Sequence, residues 1–196
     1  MRECILASAS PRRKEILANL GISFSVFATD ADEHSCETDP ARLAEELSAR
    51  KGHAALSALR GAGTDTAGRV IIASDTTVFC AGEILGKPQD AEDARRMLTL
   101  LSGRRHEVVS GIWLSLDGRE AVSHAVTEVE FMPLTDADIS AYLATGEPFG
   151  KAGAYAIQGR AAAFIRGIAG DYFNVVGLPV NEMCTLYRTT FGERLI

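Results

Sequence analysis

The chain has 196 residues, 46% of them hydrophobic and 23% charged, and its 26 acids outnumber 20 Lys and Arg for a formal charge of −6. That apolar content excludes a disordered chain, and the lack of a repeat excludes collagen-like and coiled-coil architectures. The acidity argues against a general nucleic-acid binder, which needs a basic face.

The charge is unevenly spread. Residues 1–14 carry Arg2, Arg12, Arg13 and Lys14 against Glu3, a balance of +3. Residues 30–48 carry seven acids against Arg42, a balance of −6. A small phosphorylated ligand is compatible with this pattern. Cys4, Cys36, Cys80 and Cys184 lie far apart and form no CxxC pair, so zinc-ribbon and thioredoxin readings find no support. The opening apolar run is too short for a signal peptide. No stretch approaches the ~20 apolar residues of a membrane span. The reading is a cytoplasmic protein with reduced thiols and no membrane contact.

In chain order, residues 4–7 form a short apolar run that fits a buried strand. Ser10 then caps a helix whose first turn takes Pro11, with Ile16, Leu17 and Leu20 at helical spacing and Gly21 past the end. Ile22, Phe24 and Val26 alternate, which predicts a strand. Asp39-Pro40 opens a second helix to about Leu59, with Leu43, Leu47 and Lys51 on one stripe. Residues 70–73 predict a fully apolar strand that runs into Ser74-Asp75-Thr76, and residues 77–85 a hairpin around Ala81-Gly82. Asp90 caps a helix carrying Ala94, Met97, Leu98 and Leu101, closed by Ser102-Gly103. Two long strands flank Asp117-Gly118, a strong hairpin turn. Thr135 and Asp138 resemble a capping box. Two more strands are predicted near residues 162–168 and 172–176, around Gly170-Asp171, and a last helix after Pro179. The mixture reads as α/β without a regular βαβ winding, in one unit over residues 1–196.

Several clusters could carry chemistry. Ser8, Ser10, Arg12, Arg13 and Lys14 sit at a helix start, where free N–H groups and forked guanidinium donors suit a phosphate. Asp30, Asp32 and Glu33 offer oxygen ligands of the kind Mg²⁺ and Mn²⁺ prefer. Lys51 and Lys87 could be aimed at an anion. Asp75 follows an apolar strand and could act as a general base or a metal ligand. In residues 151–159, small residues permit close approach to a flat ligand, and Gln158 offers an amide that matches a pyrimidine edge. Each also has a plain structural reading: a helix start with solvated bases, an acidic surface loop, a snorkelling lysine, a turn-capping aspartate, a glycine-rich loop.

Taken together, Leu6-Ala7-Ser8-Ala9-Ser10-Pro11-Arg12-Arg13, Ser74-Asp75-Thr76, Gly86-Lys87-Pro88 and Lys151-Ala152-Gly153-Ala154-Tyr155-Ala156-Ile157-Gln158-Gly159 resemble the Maf family of nucleotide pyrophosphatases. Leu101-Ser102-Gly103 with His106, and Val176-Gly177-Leu178-Pro179, also fit. The resemblance implies an inosine-triphosphatase-like (Maf/Ham) fold, with a curved mixed sheet flanked by helices and a cleft between two lobes. It implies hydrolysis of a nucleoside triphosphate to the monophosphate and pyrophosphate, a divalent metal cation (Mg²⁺ or Mn²⁺), and a cytoplasmic homodimer. By position, Asp75 resembles the family's proton acceptor and Glu33 a metal-site carboxylate. Ser8, Arg13, Lys51 and Lys87 resemble its triphosphate contacts. Arg12, Thr76 and Gln158 resemble the trio that sorts substrates, and Thr76 with Gln158 is similar to the branch acting on dTTP and UTP. Ser74 stands where the family more often has alanine. The alternatives are a nucleotide-binding regulator of septum formation with little catalysis, and a 7-methyl-GTP pyrophosphatase.

Overall fold

The computed structural model describes residues 2–196. Cys4–Leu6 forms strand β1 and Pro11–Asn19 helix α1, with the Ser10 hydroxyl accepting from the Arg13 N–H at the helix start. Phe24–Val26 is β2, and Pro40–Gly61 is α2, capped by the Asp39 carboxylate at the Ala41 and Arg42 N–H groups. Val70–Cys80 is β3, Glu83–Leu85 is β4 and Ala91–Leu101 is α3. The long hairpin is β5 (Arg105–Leu116) and β6 (Arg119–Phe131). Asp117 and Gly118 both take positive φ between them, as a two-residue turn that matches strand twist demands. Asp136–Leu143 is α4, preceded by a complete Thr135/Asp138 capping box. After two 3₁₀ turns, Ala152–Ala154 and Arg160–Phe164, come β7 (Ile165–Ala169), α5 (Tyr172–Val176) and α6 (Val180–Phe191).

The strands make one mixed sheet in the order β2-β1-β3-β5-β6-β7, with β4 added to the far end of β3. β1 runs parallel to β2 and β3, and the other pairs are antiparallel. Both faces of the central strands are apolar, as a sheet covered on both sides requires. Leu6, Ile72, Ile112 and Leu114 face α1 and α6, where Leu17, Met183 and Tyr187 close the core. Ile5, Ile71, Ala73 and Trp113 face α2 and its Ala55, Leu56 and Leu59. A third cluster joins the far halves of β3 and β5 to α3 and α4 through Val78, Val108, Leu98, Leu101, Phe131 and Tyr142. Helix α2 lies unusually close to the sheet. A Cβ on Gly52 would fall on the Trp113 indole, and one on Gly111 would fall on the backbone carbonyl of Ala44.

Three expectations change. First, β3 does not stop at Ser74. It runs through Ser74-Asp75-Thr76, so Asp75 is a mid-strand residue. Each polar side chain in that stretch finds a partner off the sheet or across it, which removes the cost of continuing. Second, residues 172–176 form a helical turn rather than a strand. Their aromatic and β-branched composition favours strand, but the Asp171 carboxylate accepts from the Phe173 N–H at 2.8 Å and caps a helix instead. The preceding strand is shortened to β7, since residues 160–164 coil as 3₁₀. Third, the predicted strand at residues 22–27 is only three residues long, and Val26 points outward with 42% of its surface exposed.

One topological detail positions the site. The β1 pairing ends at Leu6 opposite Ile72, and the β4 pairing begins at Val78. Between them, among the described residues, residues 73–77 of β3 have no strand on that edge. The odd side chain Asp75 projects toward α2 and the even side chain Thr76 toward α1 and α5. Both are reachable through this one gap. No helix among the described residues is long and apolar enough to cross a membrane, and none of the four cysteines is in a disulfide.

Candidate active site

A cleft of about 400 Å³ opens at that gap. Ser8, Arg12, Arg13, Glu33, Lys51, Asp75, Thr76, Lys87 and Gln158 all line it. They come from six separate stretches of chain: the β1–α1 loop with the first turn of α1, the loop after β2, α2, β3, the β4–α3 loop and residues 151–159. Asp30 and Ser10 also line the cleft, whereas Asp32, Lys14 and His34 do not.

On the α2 side, the residues form a linked ion network. Lys51 Nζ lies 2.8 Å from the Glu33 carboxylate and is also ion-paired with Asp75. Lys87 Nζ reaches the other Glu33 oxygen at 3.0 Å. Burial works against ionised Glu33, but the two ammonium groups outweigh it and hold its carboxyl at about 2. Gly111, opposite Asp75 on β5, presents no side chain, which lets α2 come close enough for this contact.

On the α1 side, Arg13 is tied into a neutral cradle. Its Nε donates to the Gly177 carbonyl at 2.7 Å, Nη1 to Ser8 Oγ at 3.2 Å and Nη2 to Thr76 Oγ1 at 3.3 Å. Ser74 Oγ donates to the same Gly177 carbonyl at 3.1 Å. Burial pulls the Arg13 guanidinium below its ordinary value, with nearby Asp75 acting in the opposite sense. Burial lowers Arg12 as well. Lys151 is lowered by burial and then by the neighbouring Arg12 charge. Among the described residues, Arg12, Arg13 and Lys151 have no carboxylate within ion-pair distance. Cations that are partly desolvated and unpaired are costly, so the cleft favours an anion that neutralises them.

The wall opposite is built by residues 151–159. Glu147 anchors it from behind. Its carboxylate accepts from Tyr142 Oη at 2.8 Å and from the Arg160 N–H at 3.0 Å. Lys151 Nζ donates to the Glu147 carbonyl. Ala154 sits at φ 58°, a left-handed conformation that costs a non-glycine residue about 1–2 kcal/mol. Tyr155 Oη bonds His106 Nε2 at 2.8 Å beneath it. Sequence reasoning placed Gln158 here but missed Glu147, the Gly177 carbonyl and the buried Ser110–Asn174 pair behind Thr76. Lys151 and Tyr155 were within reach, since both fall in the quoted motif. Glu147 carries no local signal, because its partners lie 13 or 14 residues downstream or on α4.

The profile described as "Maf-like protein" matches residues 3–190. The chain belongs to the Maf family. Relatives in that family align along almost the whole length. A protein from Symbiobacterium thermophilum named dTTP/UTP pyrophosphatase is 47% identical over 98% of this chain and 95% of its own. One of the same name from Alkaliphilus metalliredigens is 48% identical over 100% of both chains. Among solved structures, the Staphylococcus aureus Ham1 protein is similar at 18% identity, covering 66% of this chain and 72% of that one, with a TM-score of 0.44.

Proposed function

We propose that this Maf-family chain is a nucleoside triphosphate pyrophosphatase acting on dTTP and UTP, as one unit over residues 1–196. The observation that carries the reading is the cleft itself. It places an acid, Asp75, directly beside a set of cations that have more charge than the local carboxylates can neutralise. A triphosphate supplies the missing negative charge. The names of relatives at 47% and 48% identity supply the nucleotide class.

The chemistry follows from the residues. Arg12, Arg13, Lys87 and Ser8 bind and orient the phosphates through charge-assisted hydrogen bonds. Lys51 leaves its carboxylate partners in part to meet the incoming phosphate. Asp75, released from Lys51, accepts a proton from the attacking water. The new P–O bond forms at the α-phosphorus, the bond to the bridging oxygen breaks, and pyrophosphate leaves with that electron pair. The cationic cradle stabilises the charge that builds on the leaving group. Thr76, Arg12 and Gln158 sort the base.

The donor set also fits a divalent cation. The cleft offers carboxylates from Asp30, Glu33 and Asp75 and no histidine or cysteine, which suits Mg²⁺ or Mn²⁺ rather than zinc. No three ligating side chains cluster among the described residues. Glu33 would hold the ion with help from water and phosphate oxygens, as Mg²⁺ sites commonly do, which leaves Asp75 free as the proton acceptor. When bound, such an ion supplies further neutralisation of the phosphates.

The same reading makes the protein a cytoplasmic homodimer with no nucleic-acid or membrane partner. Support for association is the exposed apolar surface of Val122, Val126, Ile168, Tyr172 and Phe173. Light scattering at the monomer mass would remove that part.

The test is a panel of nucleoside triphosphates with Mg²⁺ or Mn²⁺, scored for pyrophosphate. Release from dTTP and UTP is expected, with Asp75→Asn folded but at least 100-fold slower. No release from either nucleotide, or wild-type rates in Asp75→Asn, contradicts the reading.

A further inference from the structure

Thr76 on β3 and Ser110 on β5 are directly opposed in the ladder, and their hydroxyl oxygens lie 2.8 Å apart. Either oxygen could donate, but the next bond decides the direction. Ser110 Oγ is 2.9 Å from the backbone carbonyl oxygen of Asn174. A carbonyl only accepts. Ser110 has one hydroxyl proton and is fully buried, with no bulk water to change its partners. It therefore gives that proton to Asn174 and must accept the proton of Thr76. The carbonyl cannot turn away. The Asn174 side chain accepts from the Ser110 N–H at 3.1 Å and donates to the Val108 carbonyl at 2.9 Å and to Thr127 Oγ1 at 3.0 Å.

The consequence is a polarised chain from Arg13 to Thr76 to Ser110 to Asn174. The Thr76 proton points into the sheet, and Arg13 Nη2 donates to its oxygen from one side. What Thr76 shows to the cleft is a lone pair. A phosphate oxygen is repelled there, and a ligand N–H is attracted. On the same face beside Thr76 lie Val78 and Val108, themselves opposed in the ladder, both buried and both lining the cleft. They form an apolar floor for a flat ring whose edge meets Thr76.

We infer that Ser110 is a positioning residue that locks the Thr76 hydroxyl as a hydrogen-bond acceptor, so that the cleft takes a pyrimidine bearing a ring N–H and rejects one bearing a bare ring nitrogen. Uracil and thymine have that N–H between two carbonyls. Cytosine has an acceptor nitrogen in its place. The inference rests on the pyrimidine pyrophosphatase reading and adds the device by which it excludes cytidine nucleotides. A site built around one buried polar group rejects the mismatched partner strongly, because the group is left unpaired.

The experiment compares kcat/KM for UTP and CTP in wild type, Ser110→Ala, Thr76→Val and the double variant. Wild type is expected to prefer UTP. In Ser110→Ala the Thr76 hydroxyl can rotate and donate to cytosine, so the UTP:CTP ratio falls at least tenfold, mostly through a gain on CTP. Thr76→Val loses the preference by removing the acceptor, and adding Ser110→Ala to it changes nothing further, since the two act through one bond. An unchanged ratio in Ser110→Ala, or in Thr76→Val should Ser110→Ala not fold, overturns the inference while leaving the pyrophosphatase reading intact. An equal loss on UTP and CTP overturns it too, by placing Thr76 against sugar or phosphate. Wild type that releases no pyrophosphate from UTP defeats the parent reading and this inference with it.

Discussion

Gly111→Ala tests whether the contact between α2 and the sheet sets the geometry of the cleft. Gly111 is opposite Asp75 in the β3–β5 ladder, and its missing side chain faces α2. A Cβ there would fall on the carbonyl of Ala44 and crowd the N–H of Glu45. Those atoms are helix backbone and cannot rotate aside, so α2 must move outward by about 1 Å. Overpacking of this kind costs typically about 1–3 kcal/mol, and a clash with backbone belongs at the upper end. At about 3 kcal/mol, a chain of this size loses roughly 6–12 °C of Tm. The same displacement carries Lys51, two turns along α2, away from Asp75 and Glu33. A misplacement of about 1 Å costs up to about 100-fold in rate. The assays are urea unfolding and pyrophosphate release from dTTP. Gly61→Ala on the same helix is the control, because nothing lies within 4 Å of its Cβ. It should be neutral or more stable by up to about 1 kcal/mol. If Gly111→Ala matches wild type in both stability and activity, the argument from the tight α2 contact is wrong.

Two further outcomes follow from the ionisable groups. In Lys51→Met, Glu33 loses one of the two ammonium groups that hold it at about 2, so its carboxyl rises toward the ordinary value. Carboxyl NMR titration reads this, and an unchanged Glu33 would show that Lys87 alone suffices. His106 is buried and held neutral, its pKa lowered by desolvation from 6.5 to about 4. A histidine that is harder to protonate when folded adds stability that is complete above pH 6.5 and lost as pH falls toward 4. The limiting slope is about 1.4 kcal/mol per pH unit, or about 3 kcal/mol across the window. Urea midpoints of wild type should fall through that range more steeply than those of His106→Gln. Parallel profiles would contradict the assignment.

The candidate site was legible because its chemistry is written in short, contiguous motifs. Ser8-Ala9-Ser10-Pro11-Arg12-Arg13 combines a helix cap with two arginines, and the structure brings the cap and both arginines together at the start of α1, on the wall of the cleft. Lys51 was findable from helical spacing, since it falls at the edge of the buried stripe of α2. The illegible parts are long-range. Gly177 holds Arg13 through its backbone carbonyl, a partner that leaves no side-chain signal in the sequence. Asn174 reads as part of a strand because its neighbours are aromatic and β-branched, whereas the Asp171 cap starts a helical turn and three buried hydrogen bonds hold the Asn174 side chain against the sheet. Asp75 looked like a strand terminus because three polar residues follow an apolar run. Partners for those residues come from α2, β5 and the turn at Gly177, all distant in sequence.

The most direct test of the central claim is the fate of the attacking oxygen. Hydrolysis of dTTP in ¹⁸O-water, followed by ³¹P NMR, reports which phosphorus is attacked. The label should appear in the monophosphate, with one unlabelled pyrophosphate for each. Orthophosphate and a diphosphate as products, or label in the pyrophosphate, would contradict attack at the α-phosphorus and the role assigned to the cationic cleft.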